Sequence, residues 1–147
     1  MSKKRIIISV IVLLIIVAGI YGWKEYTRKV KDLDDVEAEL SVQAPALINE
    51  FMTNEAAANK KYQNKIIAVS GIVKKLINVD NTYTVVMGDT TDMSSVRCLA
   101  DSTHAEGFSG LKRGMTINIK GAITGFKKDD TGLLGSDVEL NRCVIQH

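Results

Sequence analysis

Residues Ile6 to Trp23 (IIISVIVLLIIVAGIYGW) form an uncharged, almost wholly apolar run directly behind the basic cluster Lys3-Lys4-Arg5. A helix made of such a run has no polar face, so it does not belong on the surface of a soluble core. At ~1.5 Å per residue its 18 residues reach about 27 Å, close to the hydrocarbon thickness of a bilayer. The run exceeds the roughly 7–15 apolar residues of a cleavable signal peptide, and its exit offers only a poor small-residue cleavage site. Tyr21, Trp23 and Tyr26 cluster at its C-terminal end, where amphipathic rings favour the membrane interface. The expectation is therefore an uncleaved signal-anchor, a single transmembrane helix from Ile6 to Trp23. A cleaved signal is the alternative.

Basic residues flank both sides of the run: Lys3, Lys4 and Arg5 before it, Lys24, Arg28, Lys29 and Lys31 after it. The positive-inside tally is thus nearly balanced. A tail of residues 1–5 is easily left in the cytoplasm, which favours a C-terminal part facing outward from the inner (cytoplasmic) membrane. Residues 24–43 are charged and proline-free up to the junction, with Val30, Leu33, Val36 and Leu40 as a narrow apolar stripe; they read as a helical stalk. Residues 44–147 remain for one modest core. They carry 12 Lys/Arg against 11 Asp/Glu, so no global charge calls for nucleic acid.

Within that domain, Pro45 suits the first turn of a helix, and Ala44, Leu47, Ile48, Phe51, Ala58 and Tyr62 follow one face until Asn64. From Ile66 the period changes. Short β-branched segments follow at 66–73, 82–87, 95–100, 116–124 and 138–145, with a turn at Val79-Asp80-Asn81. Thr103 to Arg113 reads as a short helical insertion ended by Gly114. Five strands with a helical insertion between the third and fourth is the order of an OB barrel. Gly71 and Gly121 each interrupt a β-branched strand, the mark of a bend or a close backbone approach in a barrel that must curl. The expected fold is thus β-rich (α+β): a five-stranded OB-fold barrel with an N-terminal amphipathic helix, behind a single transmembrane helix.

Several pieces together carry a family resemblance: the helix with Phe51, Asn54 and Tyr62; Val69-x-Gly71-x-Val73; Val96-x-Cys98; Leu111-x-x-Gly114; Ile119-x-Gly121; and Leu140-x-x-Cys143. In this order and spacing, from Ala44 to Gln146, the chain resembles the bacterial tRNA-anti-like OB-fold domains, which are common behind a signal or anchor. The resemblance implies the fold, and by analogy anticodon-type RNA binding. It implies no catalytic motif.

The residues themselves point away from an enzyme: there is no nucleophile elbow, phosphate-gripping glycine loop or H-E-x-x-H helix. No cofactor and no metal are expected. Asp89, Asp92 and Asp101, and Asp129 with Asp130, lack the spacing of a Ca²⁺ loop and read as solvated carboxylates. Cys98 and Cys143 fall in the third and fifth predicted strands, neighbours in an OB barrel. A disulfide between them would close a 46-residue loop and add ~4 kcal/mol on the chain-entropy model; the alternative is two buried thiols packing as small hydrophobes. OB folds bind single strands with stacking aromatics and a basic groove. Here Tyr83 and Arg97, flanked by Lys74 and Lys75, make a thin platform, and Tyr83, Val85 and Met87 also alternate as core residues would. Lys74, Tyr83, Arg97 and Lys127 are the candidate ligand face. The polar loops 88–94 and 127–136, read as flexible, bracket it. The expected function is a membrane-anchored, extracytoplasmic binding module for a protein, peptide or envelope glycan. Single-stranded nucleic acid is the alternative if the domain is cytoplasmic.

Overall fold

The computed structural model describes residues 3–26, 33 and 36–146, and within 3–26 the side chains of residues 12–23. The chain divides into two compact units, Met1–Lys31 and Asp32–His147. In the first unit, helix α1 runs over Lys3–Tyr26, and every described side chain from 12 to 23 is exposed. Among the described residues no helix is long and apolar enough to cross a membrane. The side chains of 6–11, the first part of the expected anchor, lie outside the described residues, as do 27–32, 34 and 35 of the expected stalk.

The second unit is β-rich: a six-stranded sheet carrying helices α2 (Ala44–Thr53) and α3 (Glu55–Tyr62). Its strands are β1 (Leu40–Gln43), β2 (Ile66–Val79), β3 (Thr82–Met87), β4 (Ser95–Ala100), β5 (Thr116–Lys127) and β6 (Asp137–Ile145). The order is β1-β2-β3-β4-β6-β5, and a further β2–β5 pairing joins the last strand back to β2. The five expected strands form this ring, and β1 is a sixth added outside it.

That sixth strand corrects the stalk. Leu40–Gln43, expected to be helical, pairs parallel with Ile67–Ser70, and just before it Glu39 N–H donates to the Ile66 carbonyl at 2.8 Å. Leu33 is buried, while Leu40 and Val42 pack against the core. Spacings of three and four from Val30 to Leu40 suit one helical stripe. Edge pairing with β2 instead imposes a period of two on its last residues.

The helix expected from Ala44 to Tyr62 is two helices broken at Asn54. The Asn54 N–H ends α2 by bonding the Glu50 carbonyl, and its side-chain oxygen begins α3 by accepting from Ala57 N–H at 3.0 Å. One residue serves as C-cap and N-cap, a use to which Asn is suited. The apolar stripe survives the break: Phe51 and Tyr62 stack at 6.1 Å, and Phe126 of β5 meets Phe51 at 5.2 Å. Leu47, Phe51 and Tyr62 are buried with Ile67, Val69, Val85, Met87, Val96, Ile119 and Leu140. Each such side chain contributes about 1.5–3 kcal/mol by leaving water.

β2 is the longest strand because, besides carrying β1, it serves two partners within the ring. Ile66–Ile72 pairs with β5, and Val73–Val79 pairs with β3 after a bulge between Val73 and Lys75. Gly71 sits at the changeover, where an added Cβ would lie 3.0 Å from Ala44 Cβ. Its bareness lets α2 begin against the sheet. The β2–β3 hairpin turns on Asp80 and Asn81, both with positive φ (49° and 61°), as a tight two-residue turn demands. The insertion after β4 is a 3₁₀ turn, Ala105–Phe108, whose Phe108 is buried in the core.

Candidate functional site

Alternation along β3 and β4 sorts the predicted ligand residues. Val85, Met87, Val96 and Cys98 are buried, and Tyr83 packs against the same core. Tyr83 therefore points inward, whereas Arg97 lies on the outer face, so the two are not brought together. Pair registers build an outer row across four strands: Lys75 opposite Val86, Val86 opposite Arg97, Arg97 opposite Glu139. A second row places Ile77 opposite Thr84 and Thr84 opposite Leu99. Between these rows and β5 lies a shallow groove of about 360 Å³ lined by Thr84, Arg97, Leu99, Thr124, Glu139, Leu140 and Asn141.

The charge of this face is mixed. Arg97 Nη1 donates to Asp137 Oδ2 at 3.1 Å, which neutralises part of its field. Lys127 is exposed and sits in register with the same Asp137. Arg97 is thus paired with the carboxylate of Asp137, whose register partner on β5 is Lys127 and whose neighbour along β6 on the same face is Glu139. No aromatic side chain belongs to the groove's lining.

Lys74 has a different task. Its ammonium donates to the Asp92 carbonyl (2.5 Å), the Ser94 carbonyl (3.0 Å) and Ser95 Oγ (3.1 Å), so it fastens the β3–β4 loop to β2. That loop is in turn docked on the β5–β6 loop. Ser136 N–H donates to Ser94 Oγ at 3.1 Å, and Ser95 N–H donates to the Ser136 carbonyl at 3.0 Å. Gly135 has φ +78°, and a Cβ there would lie 2.4 Å from the Met93 carbonyl carbon. The two loops expected to be flexible are therefore pinned to each other.

The β5–β6 loop is built on one carboxylate. Asp129 accepts from Thr131 N–H (2.9 Å), Thr131 Oγ1, Leu134 N–H (2.7 Å) and Gly135 N–H (3.0 Å). These donors, the Thr131 hydroxyl foremost, hold its carboxyl well below the ordinary range. Asp89 is lowered in the same way by the Thr91 N–H and hydroxyl. Asp92 accepts from Ser94 N–H and Asp101 from Thr103 N–H. Asp89, Asp92, Asp101 and Asp129 are thus turn-makers, Asp130 is ion-paired with Lys128 at 3.3 Å, and among the described residues no group of His, Cys, Asp and Glu could hold a metal ion. The framed loops carry three exposed apolar side chains: Met93 (60 %), Leu133 (71 %) and Leu134 (80 %).

Cys98 and Cys143 are both buried and are free thiols in the structure. Gly121, expected as a bend, lies under this pair: an added Cβ would be 2.8 Å from Cys143 Sγ.

Comparison with family models matches the family described as tRNA_anti-like over residues 1–137. Comparison with curated proteins finds no match. Among solved structures, similarity extends to a suggested nucleic acid-binding lipoprotein from Klebsiella pneumoniae subsp. pneumoniae. It is 16% identical with a TM-score of 0.55, over 73% of this chain and 92% of that one. An OBody bound to hen egg-white lysozyme is 19% identical with a TM-score of 0.42, over 59% and 86%. Asparaginyl-tRNA synthetase from Pyrococcus horikoshii is 16% identical with a TM-score of 0.40, over 58% of this chain and 20% of that one. The likeness to the Klebsiella lipoprotein is one of fold.

Proposed function

The chain belongs to the tRNA-anti-like family, and on that premise we propose a non-enzymatic OB-barrel binding module that docks a protein or peptide on the outer face of β2, β3, β4 and β6. Ile6–Trp23 holds it at the inner membrane, with the second unit facing outward. The apolar run supports the anchor, and the family match extends over it.

One observation carries the choice of partner: Tyr83 and Arg97 lie on opposite sides of the sheet. A single-strand site needs an aromatic platform beside an open cationic groove. Here the aromatic is packed against the core and the arginine is shared with Asp137. What the outer face offers is Ile77, Val79, Val86 and Leu99 among charges of both signs, an apolar strip with a polar rim, which supports a docking surface. An envelope glycan is the other occupant such a groove would admit.

A second reading, single-stranded nucleic acid, draws on the cations Lys75 and Arg97, two strands apart in one outer row, and on the binding suggested for the Klebsiella neighbour. Two measurements separate them. A photo-crosslinking residue at Leu99 or Thr124 in intact cells should give one discrete protein adduct, and the same residue at Lys60 on α3 should give none. Fluorescence anisotropy with a short oligouridylate should show no binding at low salt. Oligouridylate affinity that falls steeply with salt and is lost in Arg97→Ala would put the nucleic-acid reading first.

A further inference from the structure

The β4–β6 pairing contains one inserted residue, and it re-aims the end of β6, Cys143 first. Cys98 is opposite Leu140, yet Ala100 is opposite Cys143, so Leu99 faces both Asn141 and Arg142. Arg142 takes up the extra length with φ +54°, a conformation that costs a non-glycine residue. Its own N–H turns back to the Asn141 side-chain oxygen at 2.7 Å. Two consequences follow for Cys143. Along β6, Val138 and Leu140 are buried and alternate with exposed residues; the insertion shifts the parity, so Cys143 also points inward. It also draws Cys143 one rung nearer to Cys98. Regular pairing would have set Cys143 opposite Asp101.

The space is prepared as well. On the neighbouring β5, the position beside Cys143 is Gly121, where any side chain would begin 2.8 Å from Sγ. A glycine inside a strand weakens it. The bulge, the left-handed arginine and the glycine therefore converge on one outcome: the thiol of Cys143 lies against that of Cys98, in hydrogen-bond contact, with both residues fully buried. Small apolar packing alone would need none of these, since alanine or valine in regular register would fill the layer.

We infer that Cys98 and Cys143 form an intrachain disulfide that staples the last strand of the ring to β4 when the second unit matures in an oxidising compartment. The oxidant is a protein disulfide of that compartment. One cysteine thiolate attacks it, giving a mixed disulfide and releasing one thiol of the oxidant. The second cysteine thiolate then displaces the other, so the Sγ–Sγ bond forms and the oxidant leaves as a dithiol with two electrons and two protons. Burial pushes the Cys143 thiol up and closes it off from solvent, so the reaction belongs to folding, before β6 seats against β4 and β5. The folded bond is accordingly shielded from reductants.

The test uses the full-length chain extracted from membranes, acid-quenched, unfolded and alkylated without reductant. The expected species takes up no alkylating reagent and is lighter than the dithiol by two hydrogens. Prior unfolding in reductant restores two alkylation sites. The refolded reduced chain melts lower than the oxidised one, by on the order of 10 °C, and Cys98→Ala/Cys143→Ala shows no such dependence on reductant. Two alkylated cysteines in the unreduced chain overturn the inference, as does a cross-link between two chains. The double variant also separates this inference from the docking proposal, because the Leu99 adduct should persist without the staple.

Discussion

Two adjoining regions of the second unit hold their shape by opposite means. The α2–α3 pair is held chiefly by apolar burial: Phe51, Tyr62 and Phe126 form one aromatic group in the same core as Leu47 and Ile48, and the Glu50 carboxylate, accepting from Lys61 and Tyr62, adds a contact at its solvent rim. The pair of loops at 88–94 and 128–136 buries almost nothing large and is held by hydrogen bonds to Lys74, Asp129, Ser94 and Ser136. Non-directional burial tolerates approximate fits, whereas a hydrogen-bonded frame depends on each donor and on the one glycine that permits contact. The first region is a foundation. The second is a shaped surface that displays Met93, Leu133 and Leu134 without core support.

The largest effect that tests this contrast is Phe51→Ala, expected to cost about 3–5 kcal/mol in global stability by urea unfolding, because the aromatic group collapses poorly. Gly135→Ala comes next. It combines an unfavourable φ with a backbone clash, so about 2–3 kcal/mol is expected, concentrated as faster amide exchange in 88–94 and 128–136. A purely global loss in that variant would break the comparison. Lys74→Met should cost about 1–2 kcal/mol and loosen 92–95 by hydrogen exchange, while Lys75→Met on the outer face should stay within about 0.5 kcal/mol.

The smallest effect is the pH dependence of the loop frame. Asp129 has its folded value depressed, so its contribution is complete above the unfolded carboxyl's 3.8 and is lost as pH falls through the folded value. Exchange protection of Leu134 N–H should therefore decline below about pH 4. In Asp129→Asn it should be lower from the start and flat with pH.

The same contrast explains which parts could be read from the chain. Apolar burial leaves a periodic trace, so the face from Ala44 to Tyr62 and all five ring strands could be placed. The loop frame leaves no hydrophobic trace, yet it does leave a local one. Asp89-x-Thr91, Asp92-x-Ser94, Asp101-x-Thr103 and Asp129-x-Thr131 share a spacing at which aspartate accepts the N–H two residues on. That repeat was available to identify turn-makers rather than cation ligands. Leu140-x-x-Cys143 was similarly available: two inward residues three apart in a strand require an inserted residue. Tyr83 shows the limit on the site itself, since alternation already placed it with Val85 and Met87, and only register across β4 separated it from Arg97. Leu40 shows the limit on the fold. Its spacing from Leu33 and Val36 suited a helix, and the deciding partner, β2, begins at Ile66, beyond any local pattern.

The short strand β1 has a mechanical consequence. A pull entering the second unit from upstream loads the buried Leu33, then the Glu39–Ile66 hydrogen bond and then β1, which pairs on one side only. The ring strands share load across two neighbours each, so β1 is the weakest link in series. It would peel first and pay out about 3.4 Å of tether per residue, leaving the docking face intact. The strand acts as a mechanical fuse between whatever holds the N-terminus and the surface that meets a partner.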